Sequence, residues 1–418
     1  MSVESWEPIL LNEVIREDSI LLGRGNIISS KDIAEIPGSY PIYSSSAKSN
    51  GEFGRYGNFM FDEELITWSI DGGGRFFYRP KHKFSVTNVC GYMRVALSRW
   101  DTRFVYYLLD LQHKNIAFDY QTKAHPSVIR NLYFLVRLPI EEQTQIAAIL
   151  STIDRAIEQT EAIIAKQQRI KTGLMQDLLT KGIDEDGNVR SEATHKFKDS
   201  PLGQIPIEWE TEEIVSVLIQ SPKNGYSPPE ADDWNGTYML GLGCLTSEGF
   251  KPKQLKYAPK NSRLLEAALL QDDDFLISRS NTRALVGLVG IFKHISELCI
   301  YPDLMMRLRF NDTVSAEYME QVFMSSTIRR QIENAATGTS GSMVKINAAA
   351  IKKFRFRRPP IDEQWRILSI LQSVAEGILE MAMSKAKLQS LKTGLMQDLL
   401  TGNVRVTALL NDPKTAKV

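Results

Sequence analysis

KTGLMQDLLT, at Lys171–Thr180, recurs without a change at Lys392–Thr401, 221 residues further on. A ten-residue identity lies far beyond chance in a chain of 418 residues. The same offset aligns Pro139-Ile140-Glu141-Glu142-Gln143 with Pro360-Ile361-Asp362-Glu363-Gln364. Two segments therefore begin alike, end alike and share one length. The chain reads as two like modules, each closed by the same helix.

The helices can be read outward from those ends. After Pro139, apolar residues fall at Ile146, Leu150, Ile153, Ile157, Ile164, Leu174 and Leu178, with Thr160, Gln167 and Lys171 as polar exceptions. Spacing that alternates three and four is a heptad seam, which Ile149, Ala156, Ile163 and Ile170 widen on one side. The acids Glu141 and Glu142 suit a helix start, and the helix should stop near Gly182. The second seam is Ile367, Leu371, Val374, Ile378, Met381, Leu388, Leu395 and Leu399, with Lys385 and Lys392 as exceptions. Beyond it, Gly402-Asn403-Val404-Arg405 repeats Gly187-Asn188-Val189-Arg190, and Ile207-Glu208-Trp209-Glu210 echoes Glu4-Ser5-Trp6-Glu7. Two such helices should pack antiparallel, each about 60 Å long at 1.5 Å per residue, with a globular domain near each end.

The expected class is α+β. Residues 1–138 form a first mixed domain, with strands over Glu64–Trp68, Phe84–Val89 and Tyr92–Ala96 and a helix capped by Asp101. Residues 139–182 are the first long helix and 183–204 a polar linker. A second mixed domain spans 205–358, with strands over Thr237–Leu240, Phe275–Ser278 and Val286–Phe292 and a helix over Ala316–Phe323. The second long helix covers 359–402, and 403–418 is a tail.

Composition narrows the function. Fifty basic residues balance 50 acidic ones, so any argument for nucleic acid must rest on local clusters. No apolar run approaches membrane-spanning length and no export signal opens the chain, so the cytoplasm is the expected compartment, with no membrane partner. Cys90, Cys244 and Cys299 are scattered and fit reduced core residues. The five histidines lack metal-ligand spacing. No phosphate-binding loop, dinucleotide fingerprint or nucleophile triad is present, so no catalytic residue is assigned.

Two basic stretches stand out. Arg75, Arg79, Lys81, Lys83, Arg94 and Arg99 lie between Gly72 and Trp100 with no acid, interleaved with Phe76, Phe77, Tyr78 and Phe84. Lys345, Lys352, Lys353, Arg355, Arg357 and Arg358 lie between Asn334 and Ile361, again with no acid. Such clusters neutralise phosphates, although a solvated surface or a strand edge uses the same residues. Two loops at matching places suit close approach to DNA: Gln121-Thr122-Lys123-Ala124-His125-Pro126-Ser127 and Ala336-Thr337-Gly338-Thr339-Ser340-Gly341-Ser342 before Lys345. Arg279-Ser280-Asn281-Thr282-Arg283 follows a strand and offers side chains matched to guanine and adenine edges. The candidate DNA contacts are thus Arg75, Tyr78, Arg79, Lys81, Lys83, Gln121, Lys123, His125, Arg279, Asn281, Arg283, Thr339, Ser340, Ser342 and Lys345.

The paired Pro-Ile-acid-Glu-Gln starts, the duplicated KTGLMQDLLT, the domain–helix–domain–helix order and the Gly338–Gly341 loop together resemble the specificity subunit of a type I restriction-modification system. The likeness extends over essentially the whole chain. It implies two target recognition domains, each reading half of a split, asymmetric duplex site. It implies an antiparallel coiled coil acting as a ruler between the half-sites, and docking of two methyltransferase subunits together with restriction subunits. S-adenosylmethionine, ATP and magnesium would belong to those partners; this chain would hold no cofactor or metal and catalyse nothing. Gln176, Asp177, Gln397 and Asp398, duplicated without being needed by the seam, are the candidate partner contacts. Competing readings are a fused nuclease–methyltransferase, the specificity subunit of a related fused system, and a coiled-coil spacer with two protein-binding heads.

Overall fold

The computed structural model describes residues 6–17, 19–45, 49–71, 73–116, 118, 123–259, 263–338 and 343–410. The chain divides into two compact units, Met1–Ile163 with Met381–Val418, and Ile164–Glu380. Each unit contains one mixed domain and a part of both long helices, which span Ile140–Leu178 and Ile361–Leu400.

The first unit is built on a six-stranded sheet ordered Ile20–Arg24, Cys90–Val95, Phe61–Ser69, Phe76–Val86, Tyr40–Tyr43, Glu52–Tyr56. Neighbours are antiparallel except Tyr40–Tyr43, which runs parallel to Phe76–Val86. Ile66, Trp68, Phe76 and Met93 are buried against Phe104, Val105, Leu108 and Leu109 of the helix Thr102–His113. Asp101 caps that helix as expected, its side chain accepting from the Arg103 and Phe104 amides. The strand Phe134–Val136 pairs with Pro8–Leu10 and leads into Pro139 and the first long helix.

The second unit holds a four-stranded antiparallel sheet ordered Lys223–Asn224, Met305–Leu308, Phe275–Ser278, Val289–Ile291. A three-stranded sheet, Leu255–Tyr257, Thr237–Leu240, Leu298–Ile300, lies in the same unit. The expected strand over Val286–Phe292 is shorter, because Gly287 sits at φ +78 within a turn closed by Leu288 N–H donating to the Leu285 carbonyl. The 183–204 passage is more than a linker. Ile183 and Arg190 are buried, and Phe197–Lys198 pairs with Ile205–Pro206.

Each copy of the repeat is embedded in a core. Leu178 and Leu179 pack with Trp209, Tyr318 and Ile367 in the second unit, and Met396, Leu399 and Leu400 with Leu11, Ile146 and Leu150 in the first. Along the helices, Ile153, Ile157, Thr160, Ile164, Gln167, Lys171 and Leu174 are half-buried, as are Val374, Ile378, Met381, Lys385, Leu388, Lys392 and Leu395. The polar exceptions therefore do lie in the seam. Ile163 and Ile170, expected to widen the buried stripe, are 47% and 44% exposed. In the first unit Lys392 Nζ lies 2.7 Å from Asp154 and Lys385 Nζ 2.9 Å from Glu161. One residue number falls by seven as the other rises by seven, so the helices run antiparallel there. Contrary to the sequence expectation, one window of Ile361–Leu400 is apolar enough by length and composition to cross a bilayer. Both ends of that helix are nonetheless packed into domain cores.

The Pro-Ile-acid-Glu-Gln motifs join helix to domain in the same way in both units. Gln143 accepts from the Asp101 amide at 3.0 Å and donates to the Arg99 and Leu138 carbonyls. Gln364 accepts from the Ser315 amide at 3.0 Å and donates to the Thr313 and Pro359 carbonyls. Each glutamine satisfies the N-cap amide of a domain helix, since Asp101 and Ser315 are both N-caps. The preceding glutamates take the arginine of the other repeated motif. Glu363 pairs with Arg190 and accepts from the Ile183 amide and from Trp209 Nε1, each at 2.9 Å. Glu142 accepts from Arg405 Nε at 2.8 Å and Nη2 at 2.9 Å, with Trp6 beside the guanidinium. The tail thus does for the first unit what the linker does for the second. Gly182, at φ +66, must be glycine, because a Cβ there would fall 2.2 Å from Glu363 Oε1 and 2.4 Å from the Trp209 ring.

Candidate nucleic-acid interface

The basic stretch of the first unit is not acid-free in space. Phe76–Val86 pairs with Phe61–Ser69, which places Asp62 opposite Lys83 and Glu63 opposite His82. Glu63 takes Arg94 in two bonds, at 2.6 and 2.7 Å, and Glu64 accepts from the Tyr78 hydroxyl at 2.8 Å. Arg103 donates to that hydroxyl at 3.1 Å, while burial pushes the Tyr78 phenol above its ordinary value. Arg79, expected at the surface, is 1% exposed. It stacks over Tyr43 at 3.6 Å, donates to Thr67 at 2.9 Å, and burial pulls its guanidinium down to about 10. Arg79 is therefore part of the domain interior, and Tyr78 is half-buried and tied to Glu64 and Arg103. Lys81 and Lys83 remain exposed, with Lys83 Nζ 4.7 Å from the Phe59 ring centroid, and so does Arg75, over Phe77.

The second basic stretch is answered likewise. Arg355–Arg358 pairs with Glu210–Glu213, where Arg358 meets Glu212 at 2.7 Å and Arg355 meets Glu213 at 3.4 Å. Arg357 is half-buried and donates to the Leu202 carbonyl. Runs of one charge along a strand had been matched by acids on its neighbour, which the chain order does not reveal.

The structure brings the strand-end turns and the loops together. In the second unit Ser280–Asn281 is antiparallel to Val344–Lys345, and the Ile346 amide donates to the Arg279 carbonyl at 2.9 Å. The RSNTR turn and Val344–Lys345 thus share one edge, followed by the helix Ala348–Lys352 capped by Asn347. Arg283 and Lys345 are exposed there. Arg283 also donates to the Glu333 carbonyl at 3.3 Å, and Asn281 Oδ1 accepts from the Thr282 amide at 2.8 Å. Arg279 is half-buried, with Nη1 3.5 Å from the Asp303 carbonyl. Its Nε and the hydroxyls of Ser278 and Ser280 are buried without a hydrogen-bond partner among the described residues. Thr339, Ser340 and Ser342 lie outside the described residues.

The first unit repeats the arrangement. The Ala124 amide donates to the Ile70 carbonyl at 3.0 Å, and Trp68 Nε1 donates to the Ala124 carbonyl at 2.7 Å. His125 caps the helix Pro126–Leu132 through its Nδ1, as Asn347 caps its counterpart. Lys123 Nζ is 2.9 Å from Asp71. Gln121 lies outside the described residues. A cleft of about 880 Å³ nearby is lined by Arg75, Arg103, Tyr106, Tyr107, Asp154 and Lys392, among others. Asp154 there accepts from the Tyr107 hydroxyl and pairs with Lys392, at 2.7 Å each, and Glu158 is a second carboxylate in the lining. Sequence reading missed Asp71 and Arg103, and it used the Glu, Gln and Arg of the repeated motifs only as marks of duplication. The recurrence of GNVR beside the other module's glutamate was the available signal. Gln176, Gln397 and Asp398 are exposed, and Asp177 is half-exposed beside Lys181 at 2.9 Å.

The frame and its loops have known counterparts. Residues 4–167 match the family model of the type I restriction modification DNA specificity domain. The chain is 24% identical over 429 residues to the type I restriction enzyme MjaVIII specificity subunit of Methanocaldococcus jannaschii, covering 97% of this chain and 94% of that one. It is 30% identical over 273 residues to the putative type I restriction enzyme MjaX specificity subunit of the same organism, covering 64% and 58%. Among solved structures, the S subunit of a type I system from M. genitalium matches with a TM-score of 0.57 at 13% identity, covering 94% of this chain and 96% of that one. A chain from a study of assembly and conformational transition in a type I system matches at 0.56 and 16% identity, covering 96% and 99%. Residues 4–167 thus match the type I restriction modification DNA specificity domain, and over almost its whole length the chain is similar to type I specificity subunits in sequence and in fold.

Proposed function

We propose that this chain selects the DNA sequence acted on by a type I restriction-modification complex, each domain reading one half of a bipartite, asymmetric duplex site. One observation carries the reading: the two units share a frame but not their loops. Gln143 and Gln364, and Glu142 and Glu363, make equivalent bonds, while Ile70-Asp71 stands where Arg279-Ser280 stands. A conserved mount with divergent edges is what two different half-sites require. Two methyltransferase subunits dock at the two equivalent copies of the repeat, restriction subunits join them in the cytoplasm, and S-adenosylmethionine, ATP and magnesium reside on those partners. Methylation mapping of DNA from cells expressing the complex tests this. The expected result is one split motif, half of which changes when residues 205–358 are exchanged for those of a relative. A motif unaltered by that exchange would refute the assignment.

A further inference from the structure

The two proposed readout edges differ in charge, most directly at the position held by Asp71 in the first unit and Ser280 in the second. The bonds Ala124 N–H to Ile70 and Ile346 N–H to Arg279, each followed by a helix N-cap, make Lys123 the counterpart of Lys345 and Asp71 the counterpart of Ser280. In the first unit the lysine is closed by a carboxylate at 2.9 Å. In the second, Lys345 is paired across the ladder with Ser280, which carries no charge, and Lys345 makes no ion pair among the described residues. The turns extend the contrast, since Arg279-Ser280-Asn281-Thr282-Arg283 has two cations and Ile70-Asp71-Gly72-Gly73-Gly74 has one anion.

We propose that Asp71 sets the first recognition edge electrically neutral, so that the second edge supplies the phosphate-neutralising charge through Lys345. The inference rests on the DNA-reading function proposed above. The Asp71–Lys123 pair is open to solvent, with side chains 35% and 45% exposed, so holding the fold together is not its main effect. What it changes is the charge offered to a polyanion. A cation that contacts a phosphate releases a counterion and steepens the salt dependence of binding; one held beside a carboxylate at the same edge does not. The first edge is then left to hydrogen-bond with bases, where a carboxylate accepts from an exocyclic amine.

The test uses the full chain assembled with its methyltransferase subunits and a duplex bearing the mapped motif, titrated between about 50 and 200 mM salt. Lys345→Met should lower the slope of log K against log salt by about 0.9, a change of roughly 3- to 4-fold in affinity over that range. Lys123→Met should leave the slope unaltered. Asp71→Ser should steepen it by about 0.9, and adding Lys123→Met should cancel the gain. Equal loss from Lys123→Met and Lys345→Met, or an unchanged slope in Asp71→Ser, would overturn the inference and leave the DNA-reading function standing. Salt-independent binding by the parent complex would remove both. Unfolding midpoints of the variants serve as the control for folding.

Discussion

Replacing Arg190 with methionine keeps most of the side-chain volume and removes one charge from the best-buried ion pair of the second unit. Glu363 is 3% exposed and Arg190 10% at their side chains. The carboxylate accepts from Arg190 Nη1 and Nη2, the Ile183 amide and Trp209 Nε1. Arg190→Met leaves two of these donors and a carboxylate with no countercharge and little access to water. Removing one partner of a buried pair costs about 3–5 kcal/mol, because the remaining charge stays desolvated. The equivalent Arg405→Met should cost less, since Arg405 is 38% exposed and water can reach Glu142 in its place. Urea unfolding gives the stability, and hydrogen exchange at the Ile183 amide, which donates to Glu363, localises the loss. Arg190→Met with Glu363→Leu should recover part of the cost, because no orphaned charge is left. A cost under about 1 kcal/mol for Arg190→Met, or a double variant as unstable as the sum of both single variants, would refute the reasoning.

Gln364→Ala removes three hydrogen bonds and leaves the buried Ser315 amide unsatisfied; a loss of about 1–3 kcal/mol is expected in denaturant unfolding, against none for a Gln372→Ala control on the exposed face. Burial raises the Glu320 carboxyl above its ordinary value, while the Ile291 amide donates to it at 3.2 Å. A raised acid is stabilising while protonated, and that contribution is lost as pH rises through the folded-state value. Glu320→Gln should therefore match the parent in acid and exceed it near neutrality; a stability difference independent of pH would count against this. Asp177→Lys with Asp398→Lys should weaken co-purification of methyltransferase subunits while shifting unfolding by less than about 1 kcal/mol, as both sites are exposed or half-exposed. Undiminished assembly would exclude the repeat's outer face as the docking place.

Much of the architecture was legible from periodicity. The seam positions are the half-buried ones, because a three-and-four spacing places residues on one side of a helix whatever they pack against. Lys385 and Lys392 looked like faults in the seam and are instead its ion pairs with Glu161 and Asp154. The charge of the surface was less legible. Acid-free runs predicted open basic patches, yet neighbouring strands bring Glu63 to Arg94 and Glu212 to Arg358. Arg79 was read as a phosphate ligand and lies stacked on Tyr43 inside the domain. Chain order lists charges along one strand, whereas the field at the surface depends on strands far away in sequence.

The repeat KTGLMQDLLT, the matched Pro-Ile-acid-Glu-Gln starts and the heptad seams sufficed by themselves to determine two modules and two long helices, because local spacing and internal identity are properties of the chain alone. Only the tertiary structure decided that each copy of the repeat is buried in a domain core, and that Arg190 and Arg405 close on Glu363 and Glu142. It also decided that Lys123 is neutralised by Asp71 while its counterpart Lys345 faces a serine. Those pairings join residues as far apart as 142 and 405, and a carboxylate becomes a lock or a screen through what the folded chain sets within 3 Å of it.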